Sequence, residues 1–263
     1  MLVNNQCTAY ETAKAVLGRS HDLQPPPLGA CMIPIVSDYL KLIQPGMRVL
    51  EIGCGSWDWV KRHCEEVGAH YEGIDTQREY LGKPTIATRS ENLASLSFGD
   101  EEFDIVIGNQ TMEHWGEFGC KTEWGLYQCF RACKTNGKVL LNVPIYFHGT
   151  SIFLLGQFDR LRRLFEPFSG HVEFESWGNP SQPLPNVYPR PGYWRLRSKP
   201  AYILDIHAIK DKPLPSGYTN VGALSGRMAQ LTNYPASYNL YRIARRLGFF
   251  PYGTQQVYED AKA

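Results

Sequence analysis

The feature that most constrains the fold is an alternation, between Met47 and Pro144, of short apolar segments with segments of helical periodicity. The apolar segments read RVLEIG, HYEGID, TIAT, FDIVIGN and KVLLNVP. Helices are predicted for Trp57 to Val67 and for EWGLYQCFRACK, the second ending at Asn136-Gly137. Strands that alternate with helices at this spacing pair in parallel and carry helices on both faces. The sequence therefore predicts a doubly wound α/β sheet whose ligand lies at the carboxyl ends of the strands.

Further elements are predicted on both sides of this alternation. An amphipathic helix runs from Met32 to Ile43, and a helix from Ser151 to Phe165 is followed by the strands HVEFESW and AYILDIHAI. The predicted organisation has an N-terminal part, a main domain containing one long loop, and a C-terminal part: cap and helix (1–46), main domain (47–210), loop over the substrate side (178–200) and helical extension (211–263).

Composition favours a globular protein without a nucleic-acid partner. The chain of 263 residues is 43% hydrophobic, and its 27 Lys+Arg against 26 Asp+Glu leave a net charge of +1. The first thirty residues lack the pattern of a secretory signal, and no run of 18 apolar residues occurs. We therefore expect a cytoplasmic protein with a small-molecule partner and no membrane span; a homodimer is compatible with these data. Seven cysteines without paired metal-type spacing predict free buried thiols.

The turn after the first apolar segment, Gly53-Cys54-Gly55, is typical of close approach between backbone and ligand. Asp58 stands where a dinucleotide fingerprint has its third glycine, and Ser56-Trp57 replaces the Lys-Ser/Thr of a phosphate-binding loop. Glu51, two residues before the turn, repels anions and suits an ammonium or sulfonium group. Asp75, which closes YEGID, is placed to accept hydrogen bonds from ribose hydroxyls. These residues predict a nucleoside ligand with a positively charged appendage.

The same segments resemble the motifs of the class I S-adenosylmethionine-dependent methyltransferases. VLEIGCGS and EGID resemble the first and second motifs, SENLASLSFGDEEFDIVIGNQTMEH the third and fourth, and NGKVLLNVP the fifth strand, over about Met47 to Pro144. The resemblance implies a mostly parallel seven-stranded sheet, flanked here by N- and C-terminal helical extensions, and S-adenosylmethionine as cofactor. It departs at Arg89, since the third motif usually has an acidic residue two places before the position of Glu91.

The resemblance also implies which residues bind the cofactor. It places Glu51 and the turn Gly53, Cys54 and Gly55 at the methionine end. It places Asp75 and the adjacent Thr76 at the ribose, and Ser90, Glu91 and Asn92 at the adenine. It places Asn109 and Gln110 beside the methionine and the transferred methyl group.

Two histidines are candidates for the general base that an alcohol acceptor requires. His114, in TMEHW, follows the fourth strand, and its alternative role is support of the cofactor pocket. His148, in VPIYFHG, follows the fifth strand; its alternative role is that of a loop histidine bonded to backbone. The VPI and HG residues also resemble methyltransferases of bacterial surface-polysaccharide and sugar pathways. No metal is expected, because the Asp-Asn pair of the metal-dependent catechol-type enzymes does not occur.

These observations lead to one main interpretation and two alternatives. The main interpretation is an enzyme that methylates a hydroxyl of a small molecule, either a sugar or a natural-product intermediate. The first alternative is N-methylation of a small molecule, which needs no strong base. The second is a non-catalytic protein that binds the cofactor and acts through partner contacts.

Overall fold

The computed structural model describes residues 32–80, 82–144, 158–178, 182–184 and 203–218. The helices in these ranges are α1 (Met32–Leu40), α2 (Trp59–Val67), α3 (Thr122–Ala132) and α4 (Phe158–Phe165). The strands are β1 (Arg48–Ile52), β2 (His70–Asp75), β3 (Glu79–Tyr80), β4 (Lys83–Pro84), β5 (Arg89–Ser90), β6 (Phe103–Asn109), β7 (Cys133–Pro144), β8 (His171–Gly178), β9 (Gln182–Leu184) and β10 (Ile203–Ile209).

One sheet organises the described residues, with the strand order β5-β2-β1-β6-β7-β10-β8-β9. The five strands from β5 to β7 pair in parallel, whereas β10 is antiparallel to both of its neighbours. The predicted seven-stranded, mostly parallel sheet is confirmed, and the three-residue β9 adds an antiparallel strand at its edge. Parallel pairing brings the carboxyl ends of β2, β1, β6 and β7 to one edge, where Glu51, Asp75 and Asn109 lie.

Two apolar layers cover the two faces of the sheet. On one face, α1 and α2 pack through residues such as Tyr39 and Trp59 against Ile105 and Ile107. On the other face, α3 and α4 pack through residues such as Phe130 and Phe165. Because each fully buried side chain of this size contributes roughly 2 kcal/mol to the folded state, both layers fix the sheet firmly. The helices on both faces agree with the doubly wound prediction.

The segment after α3 differs from the prediction. The helix was expected to include Lys134 and to be stopped by Asn136-Gly137, but it ends at Ala132 and β7 begins at the next residue. Five steps along β7, from Cys133 to Lys138, correspond to two along β6, so the Asn-Gly pair forms a bulge in a strand. Asn136 adopts φ 63° there and donates its N–H to the carbonyl of Lys210. The prediction was wrong because this stabilising contact comes from a distant segment.

The predicted strand TIAT is also absent, since residues 85–88 belong to no strand of the structure. Two of their backbone hydrogen bonds go to the glycine turn and to β2: Ile86 donates to the carbonyl of Gly55, and Thr88 donates to that of Gly73. The short strands β4 and β5 lie on either side. This segment therefore supports the glycine turn instead of joining the sheet.

Several other predictions concern segments that the structure describes in part. Of the predicted C-terminal extension only residues 211–218 are described, and the 178–200 loop is described only at Gly178 and at β9. The domain boundaries remain predictions. In the described part of the chain, the five cysteines at positions 54, 64, 120, 129 and 133 are free and buried. None of the described helices has the length and apolar character needed to span a membrane.

Candidate active site

The glycine turn between β1 and α2 forms the floor of the site. Gly53 and Gly55 have φ angles of 63° and 56°, a left-handed conformation that glycine adopts without steric cost. The N–H groups of Gly53 and Cys54 donate to the carbonyl of Ile74 at 2.8 and 3.3 Å, which fastens the turn to β2. A Cβ on Gly53 would lie 2.6 Å from Cγ2 of Thr111, so the loop after β6 covers the turn closely.

Asp75 connects the turn to the end of β2. One carboxylate oxygen accepts a hydrogen bond from the N–H of Gly55 at 2.9 Å, and the other accepts from the N–H of Gln77 at 2.8 Å. Burial raises the pKa of Asp75, and the backbone donors, including Thr76, oppose that rise. The carboxylate thus holds the glycine turn, and each oxygen retains a second lone pair for a ribose hydroxyl.

Glu51 is a buried carboxylate on β1, with 4% of its surface exposed. The hydroxyl of Tyr71 donates to one oxygen at 2.8 Å, and Nδ2 of Asn109 donates to the other at 3.3 Å. Burial raises the pKa of Glu51 to about 8, although both hydrogen bonds oppose the rise, and the charge of Asp75 adds to it. A buried carboxylate of this kind gains most from a cationic ligand, because the ligand charge offsets the cost of ionisation.

The ends of β6 and β7 are joined by three side-chain amides. Asn142, which is fully buried, donates from Nδ2 to Oδ1 of Asn109 at 2.8 Å. Its own Oδ1 accepts from the backbone N–H of Gln110 at 3.2 Å and from Nε2 of Gln110 at 3.0 Å. Gln110 has φ 52°, an uncommon conformation for a residue with a side chain, and these bonds hold it there. Asn142 therefore fixes both predicted residues at the methyl-transfer end.

Aromatic side chains line the turn on its other side. A Cβ on Gly55 would lie 3.3 Å from the ring of Tyr80, which shows that this ring covers the turn. The Trp57 ring meets Tyr80 edge to face at 6.0 Å between centroids and stacks on Trp59 at 6.3 Å. Burial raises the pKa of Tyr80, and the negative charges of Glu113 and Asp75 raise it further. The site thus combines acidic groups with aromatic faces, an environment that favours cations.

The predicted adenine-side residues lie next to Asp75, but two of their side chains are already engaged. Ser90 pairs with Asp75 in the β2–β5 ladder, and its side chain is exposed. The carboxylate of Glu91 accepts from the N–H and Oγ of Ser97 at 3.1 and 2.6 Å. Asn92 accepts from the N–H of Ala94 at 2.8 Å and caps a short 3-10 helix. Glu91 and Asn92 therefore shape the loop that borders the site.

The histidine predicted as a base lies beyond the end of β6. Nδ1 of His114 is 3.1 Å from Oε2 of Glu117, and about a fifth of the His114 side chain is exposed. The preceding Glu113 is fully buried. Burial raises the pKa of Glu113 to about 7, although the charge of His114 opposes this rise. The second predicted base, His148, lies outside the described residues.

Comparison with known proteins identifies the family. A family model described as a methyltransferase domain matches residues 29–249. The chain belongs to this methyltransferase family. The match shows that the protein is a methyltransferase, and S-adenosylmethionine is the methyl donor that its sequence motifs indicate. No curated protein sequence matches it significantly.

Solved structures similar to the methyltransferase come from several organisms. They include the YcgJ protein of Bacillus subtilis, with 13% identity over 68% of this chain and 99% of that chain and a TM-score of 0.49. A SAM-dependent methyltransferase of Archaeoglobus fulgidus shows 18% identity, coverage of 66% and 90%, and a TM-score of 0.47. Phosphoethanolamine N-methyltransferase 2 of Haemonchus contortus shows 14% identity, coverage of 79% and 57%, and a TM-score of 0.49. None of these likenesses bears on the acceptor.

Sequence reasoning missed the residues that support the predicted ones. Asn142 and Asp205 are polar residues within apolar strands. A polar residue in an apolar strand is also the signal that identified Glu51. Tyr71 and Glu117 gave no such signal, because a tyrosine in a strand and a glutamate after a histidine are common on protein surfaces. The methyltransferase therefore surrounds its recognisable motif residues with partners that only the fold brings near.

The pKa of Glu51 predicts that ligand binding depends on pH. The group is protonated below about pH 8, and only its ionised form attracts the positive end of the cofactor. Affinity for S-adenosylhomocysteine, which retains the ammonium group, should therefore rise up to tenfold per pH unit between about pH 6 and pH 8. Titration calorimetry in buffers of different ionisation enthalpy should detect a proton released on binding.

Glu51→Gln provides the control for this pH dependence. The amide keeps the shape of the side chain but cannot ionise, so its binding profile should be flat over the same range. A flat profile for the unaltered methyltransferase, or an equally steep one for Glu51→Gln, would contradict the assignment.

Proposed function

We propose that the methyltransferase acts on a hydroxyl of a small molecule, such as a sugar or a natural-product intermediate. The observation that carries this proposal is the pairing of His114 with Glu117 at 3.1 Å, just beyond the carboxyl end of β6. A carboxylate this close to Nδ1 favours the tautomer with its proton on Nδ1, which leaves the lone pair on Nε2, the form a general base needs. An alcohol requires such a base, whereas a neutral amine does not.

In this proposal the cofactor lies along the carboxyl edge of the sheet. Its methionine end binds at Glu51, the glycine turn with Cys54, and Gln110. Its ribose lies at Asp75 and Thr76, and its adenine lies beside Ser90, Glu91 and Asn92. Asn109 supports this arrangement through its hydrogen bond to Glu51. The buried acidic groups support the placement, because they match the positive charge of the methionine end.

The proposed reaction is an in-line displacement at the methyl carbon. When bound, S-adenosylmethionine would supply a methyl carbon attached to a sulfonium; the acceptor oxygen would bond to this carbon as the carbon–sulfur bond breaks and its electron pair goes to sulfur. The hydroxyl proton would pass to Nε2 of His114, and S-adenosylhomocysteine would be released. Glu117 stabilises the imidazolium that forms. Alignment of the acceptor in a site with little water supplies much of the rate. The reaction needs no metal ion.

His114→Ala should lower methylation of a hydroxyl acceptor about 100-fold, because proton removal by a positioned base typically contributes at least that factor. The measurement uses isotope-labelled methyl donor with a panel of sugars, nucleotide sugars, phenols and small amines, followed by location of the label in the product. Binding of S-adenosylhomocysteine should remain within threefold of the unaltered protein.

Lys121→Ala, a change of a nearby residue outside the proposed site, is the matched control and should leave the rate unchanged. His148→Ala tests the other predicted base in the same assay. A rate that responds to neither histidine, with the label on nitrogen, would contradict O-methylation and establish the N-methylation alternative.

The expected partners also belong to this proposal. A small molecule is the expected acceptor of the methyltransferase, and the net charge of +1 speaks against a nucleic-acid partner. We propose that any self-association is a homodimer, which light scattering after size-exclusion chromatography would detect.

A further inference from the structure

The amide network at the ends of β6 and β7 continues into the face of the sheet that α1 covers. The hydroxyl of Tyr39, on α1, donates to Asp205 on β10, and the other oxygen of Asp205 lies 3.0 Å from Nε2 of His207. Nδ2 of Asn142 donates to the oxygen of Tyr39 at 3.5 Å. The side chains of Tyr39, Asp205 and Asn142 are buried. The network therefore runs from a helix outside the predicted site to Gln110 within it.

The directions of the hydrogen bonds that Asn142 makes to Gln110 and Tyr39 are determined by these partners. The backbone N–H of Gln110 can only donate, and it is shared between the backbone carbonyl of Asn142 at 3.1 Å and a side-chain atom of Asn142 at 3.2 Å, which must therefore be the oxygen. The hydroxyl proton of Tyr39 is committed to Asp205, so the oxygen of Tyr39 accepts from the amide of Asn142. Both constraints give the Asn142 side chain the same orientation. This agreement fixes the orientation of the Asn142 amide.

The orientation of Asn142 then fixes the two amides on β6. Oδ1 of Asn142 accepts from Nε2 of Gln110. The Gln110 amide therefore directs its oxygen, Oε1, away from Asn142. Oε1 is buried and has no hydrogen-bond partner among the described residues. In the second branch Asn109 accepts from Asn142, so its Nδ2 donates to Glu51. Both branches therefore end in hydrogen-bond acceptors, the carbonyl of Gln110 and the carboxylate of Glu51.

The two acceptors at the ends of this network, with Glu51 ionised, suit a ligand group that has only donors. An ammonium group carries three N–H donors and no acceptor, whereas a hydroxyl or a water molecule carries both. An unpaired buried acceptor is unfavourable, and this cost is removed when a charged donor binds. The network thus matches the α-ammonium group at the methionine end of the cofactor.

We propose that Asn142 is a positioning residue for this ammonium group, and that Tyr39 and Asp205 hold Asn142 in the required orientation. The proposal rests on the placement of the cofactor under the proposed function. Asn142 touches neither the ligand nor the reacting atoms. It acts through Gln110 and Asn109, whose amides would otherwise be free to rotate and present N–H groups to a cation.

The test compares two ligands that differ only in the ammonium group. One is S-adenosylhomocysteine, and the other is its analogue with hydrogen in place of the amino group. Asn142→Leu should weaken binding of the first about tenfold and binding of the second less than twofold, measured by titration calorimetry. Tyr39→Phe, which retains the ring that packs against His207, should act in the same direction by about threefold.

Tyr127→Phe is the matched control, because its ring stacks on Trp124 outside the network; it should change neither affinity. Equal weakening of both ligands by Asn142→Leu and Tyr39→Phe would show a purely structural role and overturn the proposal, as would no weakening of either. If Asn142→Leu does not fold, Tyr39→Phe decides the question alone. Failure of the unaltered protein to bind either ligand would instead refute the proposed function.

Discussion

Asp75→Ala is expected to weaken binding of S-adenosylhomocysteine about 1000-fold. The carboxylate accepts hydrogen bonds from the N–H groups of Gly55 and Gln77, so its removal frees the glycine turn and also removes the acceptor proposed for the ribose. Hydrogen bonds to a charged group contribute about 1.5–3 kcal/mol each, and the loss of two such bonds corresponds to this factor. Titration calorimetry at constant pH measures the change directly.

Glu72→Gln is the matched control for Asp75→Ala. Glu72 lies on the same strand and also carries a negative charge, but its carboxylate contacts Thr88 and Arg89 on the outer side of β2. Its replacement should change affinity less than threefold. If both variants weakened binding to the same degree, a general loss of negative charge would explain the effect and the assignment of Asp75 would be wrong.

Gly53→Ala is expected to lower the free energy of unfolding by about 3 kcal/mol and to abolish measurable cofactor binding. Two costs add: an alanine at φ 63° pays roughly 1–2 kcal/mol, and its Cβ would lie 2.6 Å from Cγ2 of Thr111. Relief of this contact would displace the turn that forms the floor of the site. Chemical denaturation and titration calorimetry measure the two effects.

Two further variants separate these costs. Gly46→Ala has the same left-handed backbone at φ 77° with no atom within 4 Å of the added Cβ, so it should cost only about 1 kcal/mol. Combining Gly53→Ala with Thr111→Ser removes the nearest clashing atom and should restore about 1 kcal/mol or more. Equal costs for the two glycine variants, without restoration by Thr111→Ser, would show that the loop after β6 does not press on the turn.

The central part of the fold was predictable because its signals are local. The apolar segments RVLEIG, HYEGID and FDIVIGN became β1, β2 and β6 almost residue for residue. The end of α3 was not predictable, because the Asn136-Gly137 bulge depends on pairing with Lys210. An Asn-Gly pair signals a break in structure in any context, and only the distant strand determines that the break falls within β7.

The same distinction applies to the candidate site. Glu51, the glycine turn and Asp75 were grouped correctly, since strand ends in a parallel sheet meet at one edge. The contact between Asn142 and Tyr39 was missed because these residues are 103 positions apart in the sequence. No periodicity records such a contact. A polar residue inside an apolar strand was the signal available, and it applied to Asn142 as well as to Glu51.

The hydrogen-bonded polar side chains on β1, β6, β7 and β10 also affect whether the strands pair in the correct register. Sliding β7 by two residues along β6 would keep apolar side chains on their proper faces, so the hydrophobic pattern alone would tolerate the error. Such a slip would separate Asn142 from Asn109, Gln110 and Tyr39. Each buried polar group left without a hydrogen-bond partner would then cost about 1–3 kcal/mol. A misaligned sheet is thereby disfavoured, and the groups that surround the ligand also help to select the correct partner for each strand during folding.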